Sequence, residues 1–252
     1  MLVVISPAKK LEENCDLDVI SKFTVPPYLE SSKKIIKALR GYSADNLSKL
    51  MNTSEKISEL NYNRNIKWSL PFNKSNSLQA LLMFKGDVYK GISVKDFNKD
   101  DFLFAQKSLR ILSGLYGILK PLDLIQPYRL EMGTQLQIGK HRNLYDFWGD
   151  EITNILNSDK NNDYLINLAS VEYFKSINVD NLKSKLINVS FKEKRDGKYK
   201  IIAIYSKRAR GLMSRYIIKN KIIDPKSLKK FNLEDYKFNK TLSSDSDLVF
   251  TR

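Results

Sequence analysis

An α/β fold is predicted, a single domain over residues 1–252 with a mixed sheet surrounded by helices, and three observations predict it. Leu2-Val3-Val4-Ile5 is short, continuous and apolar, as buried strands are, and the stretch from Tyr164 to Ala169 reads as a second buried strand. Between them lie segments whose apolar residues recur every three or four positions, the mark of helices. Beyond the second strand, two β-rich runs flank Arg195-Asp196-Gly197, and Asp-Gly between such runs is a strong hairpin signal. A chain of 252 residues buries roughly 70–75% of its unfolded surface, so its core needs neither disulfide nor metal.

Taken in order, the first strand covers Leu2 to Ser6 and ends at Pro7, which leaves Pro7-Ala8-Lys9-Lys10 at a strand's carboxyl end. From Tyr28 to Lys67 the spacing of Leu29, Ile35, Ile36, Leu39, Leu47, Leu50, Met51, Ile57 and Leu60 is helical, with breaks at Gly41 and Ser43 and at Ser54, giving three helices. Further helices are predicted over Ser77 to Phe84, Lys99 to Leu109 and Asn143 to Leu156. Ser170 is placed to cap a short helix carrying Glu172. Leu186 to Lys194 and Lys198 to Ser206 form the hairpin strands, and Lys207 to Lys221 a basic amphipathic helix.

Charge is unevenly placed. The chain carries 43 Lys plus Arg against 28 Asp plus Glu, a net +15, and +13 of it falls between Lys183 and Lys230. Two readings of that stretch stand side by side: a solvated basic surface in a lysine-rich chain, and a face that binds a polyanion. One Cys, Cys15, forms no intrachain disulfide, and no signal sequence precedes Leu2, so a soluble, cytoplasmic protein is expected. No apolar stretch is long enough to span a bilayer, so no membrane partner is expected. With one Cys and one His, His141, the chain offers no zinc ligand set; no metal and no cofactor are expected, and the oligomeric state is not set. Cys15 and His141 are read as ordinary surface or packing residues.

Four segments bear on chemistry. Gly86-Asp87-Val88-Tyr89-Lys90-Gly91-Ile92-Ser93 has the outline of a phosphate-binding P-loop, but Ile92 replaces the lysine that must reach the phosphates, so that route to nucleotide hydrolysis is rejected. Gly114 and Gly117, framed by apolar residues between two predicted helices, suit either a structural turn or a hairpin that brings bare N–H groups to a phosphate. The second resembles the helix-hairpin-helix element, with wider glycine spacing and with Pro121 interrupting its second helix. In Gln126 to Gly133, alternation puts Tyr128, Leu130 and Met132 on one side and Arg129 and Glu131 on the other, as a salt bridge or as part of a ligand cleft. On the helix from Lys207, Arg208, Arg215 and Lys219 line up beside Gly211, flanking an apolar face of Ala209, Leu212, Met213, Tyr216 and Ile217.

Across these segments the chain resembles a known family. Ile5-Ser6-Pro7-Ala8-Lys9, Phe84 to Tyr89, Leu112 to Gly117 running on through Pro121-Leu122-Asp123 to Gln126–Gly133, Phe147 to Asp150, Asn167 to Ser170 with Glu172 to Lys175, and Ala209 to Arg215 are similar to blocks of the bacterial YaaA family of peroxide-stress proteins. The resemblance implies a cytosolic protein that limits damage by hydrogen peroxide and free iron. It further implies a helix-hairpin-helix-like element and a basic cleft that binds double-stranded and branched DNA, with no established reaction. Val171 departs from that pattern, which has Asp there.

A DNA-binding reading and an enzymatic one both follow. The first expects phosphate contacts from Lys9, Gly114, Gly117, Lys120, Lys207, Arg208, Arg210 and Arg215, without strong sequence specificity. The second, an enzyme acting on a nucleotide, nucleobase or damaged DNA, rests on Asp87, Glu131 and Glu172 as candidate acid–base groups. Ser6, Lys85, Tyr89, Tyr128, Arg129, Asn167, Ser170 and Tyr173 would line its pocket.

Overall fold

The computed structural model describes residues 1–13, 20–160 and 163–252; Cys15 lies outside them. In chain order, β1 (Leu2–Ile5) and β2 (Lys10–Leu11) precede three helices, α1 (Leu29–Leu39), α2 (Ala44–Met51) and α3 (Glu55–Lys67). Next come β3 (Leu78–Gln79), α4 (Ala80–Met83), β4 (Phe84–Lys85), α5 (Asp87–Ile92), α6 (Lys99–Ser108), β5 (Leu109–Ser113), β6 (Gly117–Leu119) and β7 (Leu124–Ile125). They are followed by α7 (Leu144–Trp148), α8 (Glu151–Ser158), β8 (Tyr164–Asn167), α9 (Val171–Phe174), β9 (Lys185–Arg195), β10 (Lys198–Lys200), α10 (Ala203–Lys219), β11 (Lys237–Phe238) and β12 (Asp247–Thr251).

The fold is α/β, built on an eight-stranded mixed sheet in the order β11-β12-β9-β8-β1-β5-β6, with β10 paired to β9. β1 is apolar throughout because both its faces are covered. It pairs in parallel with β5 (Val3↔Leu109) and with β8 (Val4↔Asn167), so the two buried strands read from the sequence lie side by side. The hairpin over Asp196-Gly197 is present, with both turn residues at positive φ. The three helices before Lys67 break where expected, and Ser43 caps the second by accepting from the Asn46 N–H. Asn98 and Asp101 cap α6 reciprocally.

Four elements differ from the sequence reading. Ser77 to Phe84 holds only the single turn α4, because Leu78 and Gln79 pair with β7 and the Ala80 and Leu81 N–H groups donate to the Asp123 and Pro121 carbonyls. Tertiary pairing there outcompetes helix propensity. The helix predicted over Asn143 to Leu156 is two, broken at Gly149. β10 stops at Lys200 and α10 begins at Ala203, where a strand running on to Ser206 was expected.

The fourth difference concerns Gly114 and Gly117. Their flanks are β5 and β6, an antiparallel hairpin with Ser113 opposite Gly117, where helices were expected. Leu115 and Tyr116 at its tip are fully buried. A Cβ on Gly114 would sit 2.5 Å from the Leu130 carbonyl oxygen, and Gly117, at φ +70°, lies against the Trp148 ring. The glycines thus serve close packing within a β-hairpin. No helix-hairpin-helix is formed by these residues.

Candidate functional site

Strand order reverses at β1. The chain leaves it for β5 and β6 on one side and later enters β8 and β9 on the other. In such sheets a crevice opens beyond the carboxyl ends of the strands where the connections diverge. A cleft of about 450 Å³ occupies that position, lined by Ser6 to Lys10 after β1 and by Leu168, Ser170, Glu172 and Tyr173 after β8. The loop from Tyr128 to Glu131 adds to the lining, and Lys85 to Tyr89 with Lys207 and Arg210 form a wall.

A crossing of two helices positions that last wall. α5 packs on α10 so closely that a Cβ on Gly211 would lie 1.9 Å from the Val88 carbonyl oxygen, and one on Gly91 would lie 2.4 Å from that of Arg208. Gly211 is therefore a packing residue, and the P-loop-like segment is a short helix held against α10. The contact brings Lys207 and Arg210 alongside Lys85 and Asp87.

The polar groups of the cleft are mostly tied to one another. The Ser170 N–H donates to Ser6 Oγ at 2.9 Å, and Ser6 Oγ lies 3.2 Å from Ser170 Oγ, so Ser170 is bound across the cleft and does not cap α9 with its side chain. Glu131 receives Lys9 Nζ at 2.8 Å and Arg129 Nη2 at 3.4 Å. Glu172 Oε1 accepts the Gly133 N–H at 2.9 Å, and Asp87 lies 3.6 Å from Lys90 Nζ. Tyr89 donates to the Ser6 carbonyl, Tyr128 shares a hydrogen bond with Ser113 Oγ, and Tyr173 is bonded to the Met132 backbone. Burial pushes all three phenols above their usual pKa, so they stay neutral and form the floor.

Two arginines are less satisfied. The Arg129 side chain is only 15% exposed, and its Nε is buried with no hydrogen-bond partner among the described residues. Arg210 goes further. Its Nε is likewise buried and unpartnered, burial lowers its pKa, and no carboxylate among the described residues opposes that shift. An arginine remains protonated in proteins, so the cleft wall contains a partly desolvated positive charge lacking its counter-charge.

Most of the predicted site residues converge here: Ser6, Lys85, Tyr89, Tyr128, Arg129, Ser170 and Tyr173, the carboxylates Asp87, Glu131 and Glu172, and the cations Lys9, Lys207 and Arg210. Alternation in 126–133 holds without a strand, since Tyr128, Leu130 and Met132 are buried while Arg129 and Glu131 form the ion pair. Asn167 stands beside the cleft but is spent on the Ala169 N–H and Asn188. Arg208 and Arg215 share α10 but do not line the cleft: Arg208 pairs with Glu234 at 2.5 Å, and Arg215 with Asp96 at 2.5 Å. Lys120, whose N–H donates to Asp123, and His141, 3.6 Å from Asp146, also lie outside the lining. Lys10, the first residue of β2, and Leu168 are lining residues not named among the site candidates; Leu168 directly follows β8, and that strand end is the signal that points to it.

Val171, beside Glu172, is 86% exposed and presents an apolar side chain to solvent. Among the described residues no helix is long and apolar enough to cross a membrane.

A UPF0246 protein of Acaryochloris marina is 51% identical over the full length of both chains. UPF0246 proteins of Neisseria meningitidis and Saccharophagus degradans are each 49% identical, covering all of this chain and 98% and 99% of theirs. The family model described as peroxide stress protein YaaA matches residues 1–242. With matches of that extent, the chain belongs to the peroxide stress protein YaaA family.

Proposed function

We propose that this peroxide-stress-family protein binds DNA through the cleft and its basic surroundings, taking duplex or branched DNA by its phosphates without strong sequence specificity. The observation that carries the reading is the Arg210 guanidinium, buried at Nε and unpaired in a wall shared with Lys207. A phosphate oxygen is the counter-charge such a fork is shaped for. Lysines and arginines outnumber carboxylates in the lining, with Lys9, Lys10, Lys85, Arg129, Lys207 and Arg210 against Asp87, Glu131 and Glu172, and Glu131 is paired with Lys9 and Arg129. Binding that neutralises phosphates releases the counterions condensed on DNA, so the complex is expected to weaken as salt rises.

Fluorescence anisotropy with a labelled duplex tests the reading. Binding at low salt that weakens steeply as salt rises is expected, whereas no binding at low salt would refute it.

The enzymatic reading draws its support from Glu131 and Glu172 lying in one cleft. Incubation with nucleotides and damaged DNA, followed by mass analysis for product, tests it.

A further inference from the structure

A surface that only grips DNA phosphates needs cations. This cleft also has carboxylates, a hydroxyl pair and an aromatic floor, all recessed at the strand ends. We infer that the cleft is a pocket for one nucleoside monophosphate unit, its phosphate on Arg210 and Lys207 and its base or sugar against Glu131 and Glu172. The inference rests on the reading of Arg210 as an anion contact, and it adds what the rest of the pocket recognises.

Three features support it. The volume of about 450 Å³ falls in the roughly 300–1,000 Å³ range of small-molecule sites and exceeds what a lone phosphate fills. Tyr89, Tyr128 and Tyr173 have their hydroxyls engaged by the protein, so what they offer the cleft is ring carbon, a surface suited to a planar base. Glu131 and Glu172 each use Oε1 in the contacts described above, and neither Oε2 accepts a hydrogen bond from the described residues, so each keeps an acceptor for a base N–H or a sugar hydroxyl. A ligand with an anion at one end and hydrogen-bond donors on a flat ring at the other matches all three.

Such a unit has two sources, a free nucleotide or a nucleotide extruded from DNA. Unstacking costs least where the base is already unpaired, so an extruded-base pocket favours a bulge over an intact duplex.

The intact protein is to be titrated calorimetrically with AMP, GMP, CMP, dTMP and inorganic phosphate. Labelled duplexes with and without a single-nucleotide bulge are titrated in parallel. At least one nucleotide is expected to bind at least about tenfold more tightly than phosphate. Arg210→Gln should weaken nucleotide and phosphate alike, and Glu172→Gln the nucleotide alone. Nucleotide that displaces bulged DNA identifies the source as an extruded base, and nucleotide binding without displacement identifies a free nucleotide. If no nucleotide outbinds phosphate and the bulge gives no preference, the pocket assignment is overturned even where intact duplex still binds, which leaves the DNA reading in place. Nucleotide binding without any DNA binding would uphold the pocket and overturn the DNA reading. Neither outcome depends on a variant folding, because the wild-type titrations decide both.

Discussion

Gly91 and Gly211 meet where α5 crosses α10, and a Cβ built on either would lie 2.9 Å from the Cα of the other. That contact fixes the wall carrying Lys207 and Arg210 against the Lys85 to Tyr89 segment. Gly211→Ala places a methyl 1.9 Å from the Val88 carbonyl oxygen, which only a shift of backbone can relieve. Overpacking of this kind costs about 1–3 kcal/mol, sometimes more. A clearly lowered unfolding midpoint in denaturant is expected, and an unchanged one would show that the helices are not so closely packed.

Gly117 gives a second packing test. At φ +70° and against Trp148, Gly117→Ala combines backbone strain with a ring clash and should cost about 1–3 kcal/mol. DNA affinity measured at a temperature where the variant is folded should stay near wild type. A loss of affinity out of proportion to the loss of stability would restore a phosphate-binding role for the hairpin.

Glu131→Gln should act in the opposite direction to removal of a cation. It releases Lys9 and Arg129 from their shared carboxylate, so the cleft gains free positive charge. DNA affinity at low salt should rise, and the slope of log affinity against log salt should steepen by about 1. For an intact duplex, which presents no extruded base to the cleft, a weaker complex would mean that Glu131 contacts the DNA itself.

Much of the fold was legible because its signals were local. The four apolar residues of β1, the breaks at Ser43 and Ser54 and the Asp-Gly turn each report a nearby constraint. The hairpin at Gly114 and Gly117 was not, because a glycine required by the distant Trp148 looks the same in sequence as one required by a phosphate. Arg208 and Arg215 illustrate the same limit. Their common helix was readable, while their partners Glu234 and Asp96 lie 26 and 119 residues away in sequence. Lys207 and Arg210 differ from them only in what faces them.

Acid should loosen the seat of α10. Arg215, by hydrogen bonding to Asp96, holds that carboxyl below its usual range. For Asp101, burial works to raise the pKa, but Lys221, Lys219 and the Asn98 N–H outweigh it and the net shift is downward. A lowered folded-state pKa contributes stability that is present above the unfolded value, about 3.9, and is lost as pH falls through the folded one. Asp123 acts with the opposite sign, since burial raises its pKa and its contribution improves as pH falls. Comparison of wild type with Asp101→Asn isolates the contribution of Asp101. The wild-type melting temperature should fall more than that of the variant below about pH 4, and parallel curves would contradict the assignment.

The most direct test of the account is the salt dependence of duplex DNA affinity in two double variants. Lys207→Gln with Arg210→Gln removes two charges from the cleft wall, and Arg208→Gln with Arg215→Gln removes two that already face Glu234 and Asp96. If wild type neutralises about five phosphates, its slope is about −4.5, and the cleft pair should reduce that magnitude by about 2. The outer pair should change it far less. Equal losses in the two variants, or a greater loss in the outer pair, would contradict the cleft as the DNA site.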